Sequence, residues 1–314
     1  NDDASDCEDC ECGKYSESLG ATAMDTCLDC GAGKYAPYTG NDEQADCVLC
    51  AKGKYFTLPG QCADPCVDCD AGKYLDTEGN DEATDCEDCD CGKYSTVPAA
   101  TAMDTCVDCV AGKYAGATGN NAETDCVLCS KGKYYEQAAQ CSDVCTECGA
   151  GKYSPDQGND EETDCQKCPE GKYLVSTGND ASTDCVVCPA GTYSSTTGND
   201  DLTDCTKCPC GTYSTAEGAT SLDTCVDCVA GTYALGEGND VEDDCVKCAA
   251  GKYYEQAAQC SDVCTDCDAG KYLTTEGNDE EADCVDCVCG KYSTVPAATA
   301  IDTCVDCVAG KYAP

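Results

Sequence analysis

Histidine, arginine and tryptophan are absent, and all 18 basic side chains are lysine. Without histidine the chain lacks the commonest general base and the usual imidazole metal ligand, and without arginine it lacks the bidentate clamp for phosphate. Large apolar side chains are nearly as scarce. Valine, leucine, isoleucine and phenylalanine total 33 of 314 residues, too few for an ordinary hydrophobic core. No stretch approaches the ~18 consecutive apolar residues that a spanning helix needs, so this segment is not expected to insert directly into a membrane. No Asn-x-Ser/Thr sequon occurs, which excludes N-glycosylation by pattern.

What is present is acid and sulfur. With 61 acidic residues the net charge is −43, and an uncrosslinked chain of this kind would be a self-repelling disordered polymer. The 39 cysteines must therefore hold it together, and cross-links at this density place it outside the cytosol, extracellular or at the cell surface. A polyanion of this size repels nucleic acid and anionic membrane surfaces. Its charged partners should be cationic, with calcium the simplest case.

One period organises the whole chain. Cys-x-x-Cys occurs sixteen times, starting at Cys7, Cys27, Cys47, Cys66, Cys86, Cys106, Cys126, Cys145, Cys165, Cys185, Cys205, Cys225, Cys245, Cys264, Cys284 and Cys304, with a step of twenty residues or, in three places, nineteen. Each pair is followed by Gly-Lys-Tyr or Gly-Thr-Tyr. The tyrosines of this motif are Tyr15, Tyr35, Tyr55, Tyr74, Tyr94, Tyr114, Tyr134, Tyr153, Tyr173, Tyr193, Tyr213, Tyr233, Tyr253, Tyr272, Tyr292 and Tyr312. As the one large side chain per repeat, they are expected to form a narrow core with disulfide sulfur.

A second order lies above the first. Seven cysteines stand outside the pairs, and Cys12 to Cys62, Cys91 to Cys141 and Cys210 to Cys260 are each separated by fifty residues. Only this relation survives a two-repeat insertion, which favours pairing across it and leaves Cys289 without a mate. The expected organisation is the end of a preceding repeat at 1–6, four-repeat units at 7–85 and 86–164, two plain repeats at 165–204, a third unit at 205–283 and the start of another at 284–314. The chain reads as a window on a longer array.

Within a repeat, Gly-Asn between extended segments is a turn signal and predicts a short irregular hairpin. Helix is expected only in short pieces, such as 99–103 or 136–139. The glycine before Lys-Tyr is expected to take a backbone conformation closed to other residues, or to let a neighbouring strand approach closely.

The order Cys-x-x-Gly-x-Tyr, followed after eleven residues by Cys, resembles the module of tumour-necrosis-factor-receptor-type repeats. It is still more similar to the ephrin-receptor-type cysteine-rich repeat, as in Cys188-Pro189-Ala190-Gly191-Thr192-Tyr193, and similar arrays occur in ciliate surface immobilisation antigens. The resemblance implies a small disulfide-rich fold: an elongated, rod-like array of about sixteen irregular or β-hairpin modules with little regular secondary structure. It also implies a ladder in which the second cysteine of one pair bonds the first of the next. The rungs are then Cys10–Cys27, Cys30–Cys47, Cys50–Cys66, Cys69–Cys86, Cys89–Cys106, Cys109–Cys126, Cys129–Cys145 and Cys148–Cys165. They continue as Cys168–Cys185, Cys188–Cys205, Cys208–Cys225, Cys228–Cys245, Cys248–Cys264, Cys267–Cys284 and Cys287–Cys304. A crossed topology, Cys7 with Cys27 and Cys10 with Cys30, stays open at this point because it leaves no end cysteine unpaired.

Other chemistry competes poorly. The spacing of successive pairs also fits a four-cysteine zinc site, but the cysteines outside the pairs make sense as disulfides rather than as ligands. Redox chemistry needs one activated pair on a packed fold, not sixteen equivalent ones. Acidic runs offer hard oxygens for calcium, at Asn159, Asp160, Glu161 and Asp164 and at Asn278, Asp279 and Asp283, although without EF-hand spacing. A solvated acidic face is the simpler account of them. No catalytic residue and no cofactor is expected, apart from calcium and from O-linked sugars on residues such as Thr177 and Thr197. The sequence points to a non-enzymatic structural protein that self-associates into a fibre, appendage or coat, with the stalk of an anchored surface antigen or receptor as the alternative.

Overall fold

The computed structural model describes residues 7–313; residues 1–6, expected to end a preceding repeat, and Pro314 lie outside them. The chain divides into two compact units, Asn1–Glu147 with Asp156–Asp164, and Cys148–Pro155 with Cys165–Pro314. Both are built from the same small parts.

The first part is a turn. Lys14 N–H donates to the Glu11 carbonyl at 3.3 Å, and Gly13 occupies the third position of that turn with φ +82°, where a side chain would be strained. The same glycine is also pressed by a neighbour, since a Cβ here would collide with the Gly60 carbonyl of the repeat after next. Both roles expected of this glycine are therefore filled at once.

The turn launches β1 (Lys14–Tyr15), which pairs antiparallel with β2 (Leu28–Asp29), the two residues lying inside the next Cys-x-x-Cys. Fifteen such two-residue hairpins occur among the described residues, and no α-helix does. So short a ladder is unstable alone. Each is held by its flanking bridge and by main-chain bonds to later repeats. Cys30 N–H donates to the Gly13 carbonyl at 2.8 Å, Gly13 N–H to the Ala36 carbonyl at 2.9 Å and Gly40 N–H to the Cys10 carbonyl at 2.9 Å, while Tyr15 forms a parallel bridge with Asn41.

The segment before each pair is fixed in three ways. In most repeats it is a three-residue 3₁₀ turn, such as Gln44–Asp46, whose aspartate accepts from the two amides ahead of it; Asp46 Oδ2 takes Asp42 N–H at 3.0 Å and Glu43 N–H at 3.2 Å. Where threonine replaces that aspartate, its hydroxyl donates back to a carbonyl, as Thr26 does to Ala23 at 2.8 Å. The nineteen-residue repeats have no helical turn here. Asp64, Asp143 and Asp262 instead accept the amides of Cys66, Cys145 and Cys264 at 3.0–3.1 Å, and Cys62, Cys141 and Cys260 lie beside them.

Two expectations need correction. No helix forms at 136–139; Ala139 there has φ +57°, because it takes the turn position that glycine holds in most repeats. Helix in the other segment begins later than 99–103, at Met103–Thr105. The tyrosines are also not the core. They are half-buried, and Tyr292 and Tyr312 are exposed at 44% and 88%, because a two-residue hairpin has no second layer to cover a ring. The buried positions are the second cysteine of most pairs, many of their bridge partners, most turn glycines and, in most repeats, the residue after the tyrosine, as in the cluster of Cys30, Ala36 and Cys47 against which Tyr15 packs.

Candidate functional site

The chemistry of this chain is concentrated in its cross-links. Eighteen disulfides join 36 of the cysteines. Fifteen connect the second cysteine of one pair to the first of the next, from Cys10–Cys27 to Cys287–Cys304, with Cα atoms 5.6–5.8 Å apart. Three bridge fifty residues: Cys12–Cys62 and Cys91–Cys141 with Cα atoms 4.8 Å apart, and Cys210–Cys260 at 5.0 Å. Among the described residues Cys7, Cys289 and Cys307 are free thiols.

Each hairpin presents two side-chain pairs to solvent. The register sets Lys14 opposite Asp29, and the two form an ion pair at 3.0 Å. The pairing recurs at Lys54–Asp68, Lys73–Asp88, Lys93–Asp108, Lys252–Asp266 and Lys291–Asp306. At such exposed sites each pair contributes ~0.2–1 kcal/mol. Its larger effect is to spend scarce positive charge internally and leave the rest of the surface acidic. The Asp68 carboxylate, by hydrogen bond and then by charge, raises the Lys54 ammonium above the usual lysine range. Beside the lysine position, ten of the fifteen paired tyrosines face a half-exposed aliphatic residue, as Tyr15 faces Leu28, Tyr35 faces Val48 and Tyr213 faces Val226, whereas Tyr134, Tyr193 and Tyr253 face threonine and Tyr153 faces Gln166. At Tyr74 the cross-strand residue is Glu87, whose carboxylate accepts the phenol O–H at 2.6 Å. That bond, followed by burial and the Glu87 charge, pushes the phenol up to about 12.

The residues considered for calcium serve the backbone first. Asn159 is buried, and its Nδ2 donates to the Lys133 carbonyl at 3.1 Å and to the Asp156 carbonyl at 2.9 Å. Asp164 Oδ2 accepts the amides of Asp160 and Glu161, both at 3.1 Å, and Asp283 Oδ2 accepts Glu280 N–H at 3.1 Å. Asn278 exchanges hydrogen bonds with Thr275; Asp160, Glu161 and Asp279 are exposed. The tightest acidic grouping among the described residues lies elsewhere, at exposed Asp42, Glu43 and Asp46. Thr177 and Thr197 are both exposed.

The asparagine of Gly-Asn does more than mark a turn. Asn41, Asn120, Asn199 and Asn239 reach back 27 residues, and each donates its Nδ2 to a carbonyl of the preceding Lys-Tyr or Thr-Tyr strand at 2.9–3.0 Å. Only its recurrence at a fixed place in the period signalled this clamp in sequence.

Residues 176–225 match the family described as tyrosine-protein kinase ephrin type A/B receptor-like. The matched span contains the Cys188–Tyr193 motif and the bridge Cys188–Cys205, and the same bonded hairpin recurs on both sides of it. The chain is a cysteine-rich repeat array. No curated protein matches it. Repeats of the matched type are non-catalytic ectodomain modules, and the array's disulfide density is consistent with an extracellular or cell-surface location. No helix among the described residues is long and apolar enough to cross a membrane.

Proposed function

We propose that the array is a non-enzymatic extracellular structural protein whose copies associate into a disulfide-stabilised fibre, appendage or coat. The observation that carries this reading is the recurrence of the connections along the chain: bridge, hairpin, parallel tyrosine bridge and glycine contact return with one period, with the asparagine clamp added in some repeats, so each repeat is stabilised mainly by its neighbours. A periodic surface offers similar side chains to a second copy from step to step. Here tyrosine stands in every hairpin and faces leucine or valine in ten of the fifteen, with Leu28, Val48, Val67, Val226, Val246 and Val305 all 43–54% exposed. Cations screen the acidic faces between copies, calcium among them, and O-linked sugars on the exposed threonines add solvation.

The family match favours a second reading, the stalk of an anchored surface antigen or receptor. Electron microscopy of native non-reduced material, beside a sample treated with reductant, separates the two. Uniform fibrils with an axial repeat that dissociate on reduction support the fibre. Single particles with no lateral association, before and after reduction, support the stalk.

A further inference from the structure

We infer that the disulfides, not the folded loops, form the load path of this chain, making it a tether of capped length with the three fifty-residue bridges as a second tier. The inference rests on which cysteines are joined and stands whether or not copies assemble.

Between rungs the shortest covalent route is brief. From Cys27 it runs three residues to Cys30, about 11 Å when fully extended, and then crosses a bridge with Cα atoms 5.7 Å apart to Cys47. The other residues of each repeat hang from this route as a closed loop. Tension along the chain cannot straighten such a loop, however weak its two-residue hairpin, while its bridge is intact. From Cys10 to Cys304 the ladder alone caps extension at about 240 Å, whereas the open chain could reach about 1060 Å.

The long bridges shorten the route again. Between Cys10 and Cys66 the ladder offers three bridges and two connectors, about 39 Å. The path from Cys10 to Cys12, across to Cys62 and on to Cys66 is only about 26 Å. The same shortcut runs from Cys89 to Cys145 and from Cys208 to Cys264, which lowers the overall cap to about 200 Å. Nine of the fifteen rungs therefore lie beneath a shortcut and carry no load unless it opens. The long bridges stand where the helical turn is missing, in the nineteen-residue repeats, and there Gly60 N–H donates to the Cys30 carbonyl. The cross-link replaces local structure with a covalent strut.

The test is single-molecule stretching of the oxidised full chain held by handles at its two ends. Extension between Cys10 and Cys304 should stop at about 200 Å with no stepwise lengthening. Adding a phosphine reductant to the same molecule should release it to about 1060 Å. Two double variants read the hierarchy. Cys168→Ala with Cys185→Ala removes a rung under no shortcut and should lengthen the cap by about 55 Å. Cys30→Ala with Cys47→Ala removes a rung under Cys12–Cys62 and should leave the cap unchanged. Oxidised chains that lengthen in repeated steps of about 55 Å, or equal lengthening in the two variants, would overturn the inference. Should either variant fail to fold, brief reduction of the unmodified chain still decides. Breaking a long bridge should then give a first release of about 12 Å, well short of a whole loop, and breaking a covered rung should give none.

Discussion

Removing one rung should loosen the array locally and by a calculable amount. Cys168 and Cys185 are a suitable pair, because their bridge closes a separation of 17 residues and no fifty-residue bridge overlies it. Closing a loop of that length stabilises by ~3 kcal/mol through the unfolded chain, equivalent to about 150-fold in a local opening constant. The sulfurs also belong to the buried cluster of Cys168, Leu174 and Cys185, with Tyr153 packed on it, so alanine at both positions adds a small packing loss. Hydrogen exchange reads the result residue by residue. Leu174 N–H, which donates to Asn199 at 3.0 Å, Gly198 N–H, which donates to Cys168 at 2.8 Å, and Gly178 N–H, which donates to Cys148 at 2.9 Å, should exchange about 150-fold faster. Gly13, Gly33 and Cys287 lie far beyond the 46 to 50 residues spanned by the glycine contacts and long bridges, and their amides should exchange at unchanged rates. A uniform increase along the whole chain would refute nearest-neighbour stability. No increase at Leu174 would refute the assigned role of the rung.

Gly112→Ala places a methyl against the Gly158 carbonyl at a residue with φ +76°. It should destabilise its unit by ~2 kcal/mol or more, read as faster exchange at Gly112 and Cys129. Ala139→Gly relieves a left-handed alanine at φ +57° and should stabilise its surroundings by ~1 kcal/mol, read as slower exchange at Ala139 and Ala115. In alkaline titration followed by phenolate absorbance, Tyr74 should ionise near 12 because its O–H donates a hydrogen bond to the Glu87 carboxylate, and Glu87→Ala should move one tyrosine equivalent towards 10. Since the folded pKa lies above the unfolded value, the stabilisation from this bond is complete below about 10 and disappears as pH rises through about 12; a late component that survives Glu87→Ala would contradict the assignment.

How much of this was legible in sequence depended on whether a feature repeats as a residue type. The cysteine period, the turn glycine and the hairpin modules announce themselves because one residue type is required at one place each time. The residue after the tyrosine does not, since Ala36, Leu75, Ser95 and Leu174 are all buried there and share no chemistry beyond fitting beside a disulfide. Tyrosine misleads for the opposite reason: it is invariant and large, yet on a two-residue strand it stays half-buried at the edge of the cysteine clusters. The helical turns at 24–26 and 103–105 were missed because three residues carry no periodicity. The asparagine clamp was obscured because its partner is a peptide carbonyl 27 residues away, and a carbonyl leaves no mark on sequence. The acidic runs looked like ion ligands because carboxylates that cap a 3₁₀ turn and carboxylates that bind calcium are the same residues at similar spacing.

Electron microscopy of native material under non-reducing conditions, paired with a reduced sample, tests the central claim most directly. The account predicts uniform fibrils with a regular axial repeat that fall apart when the bridges are reduced. Isolated particles that never associate laterally, in either sample, would contradict a fibre-forming role.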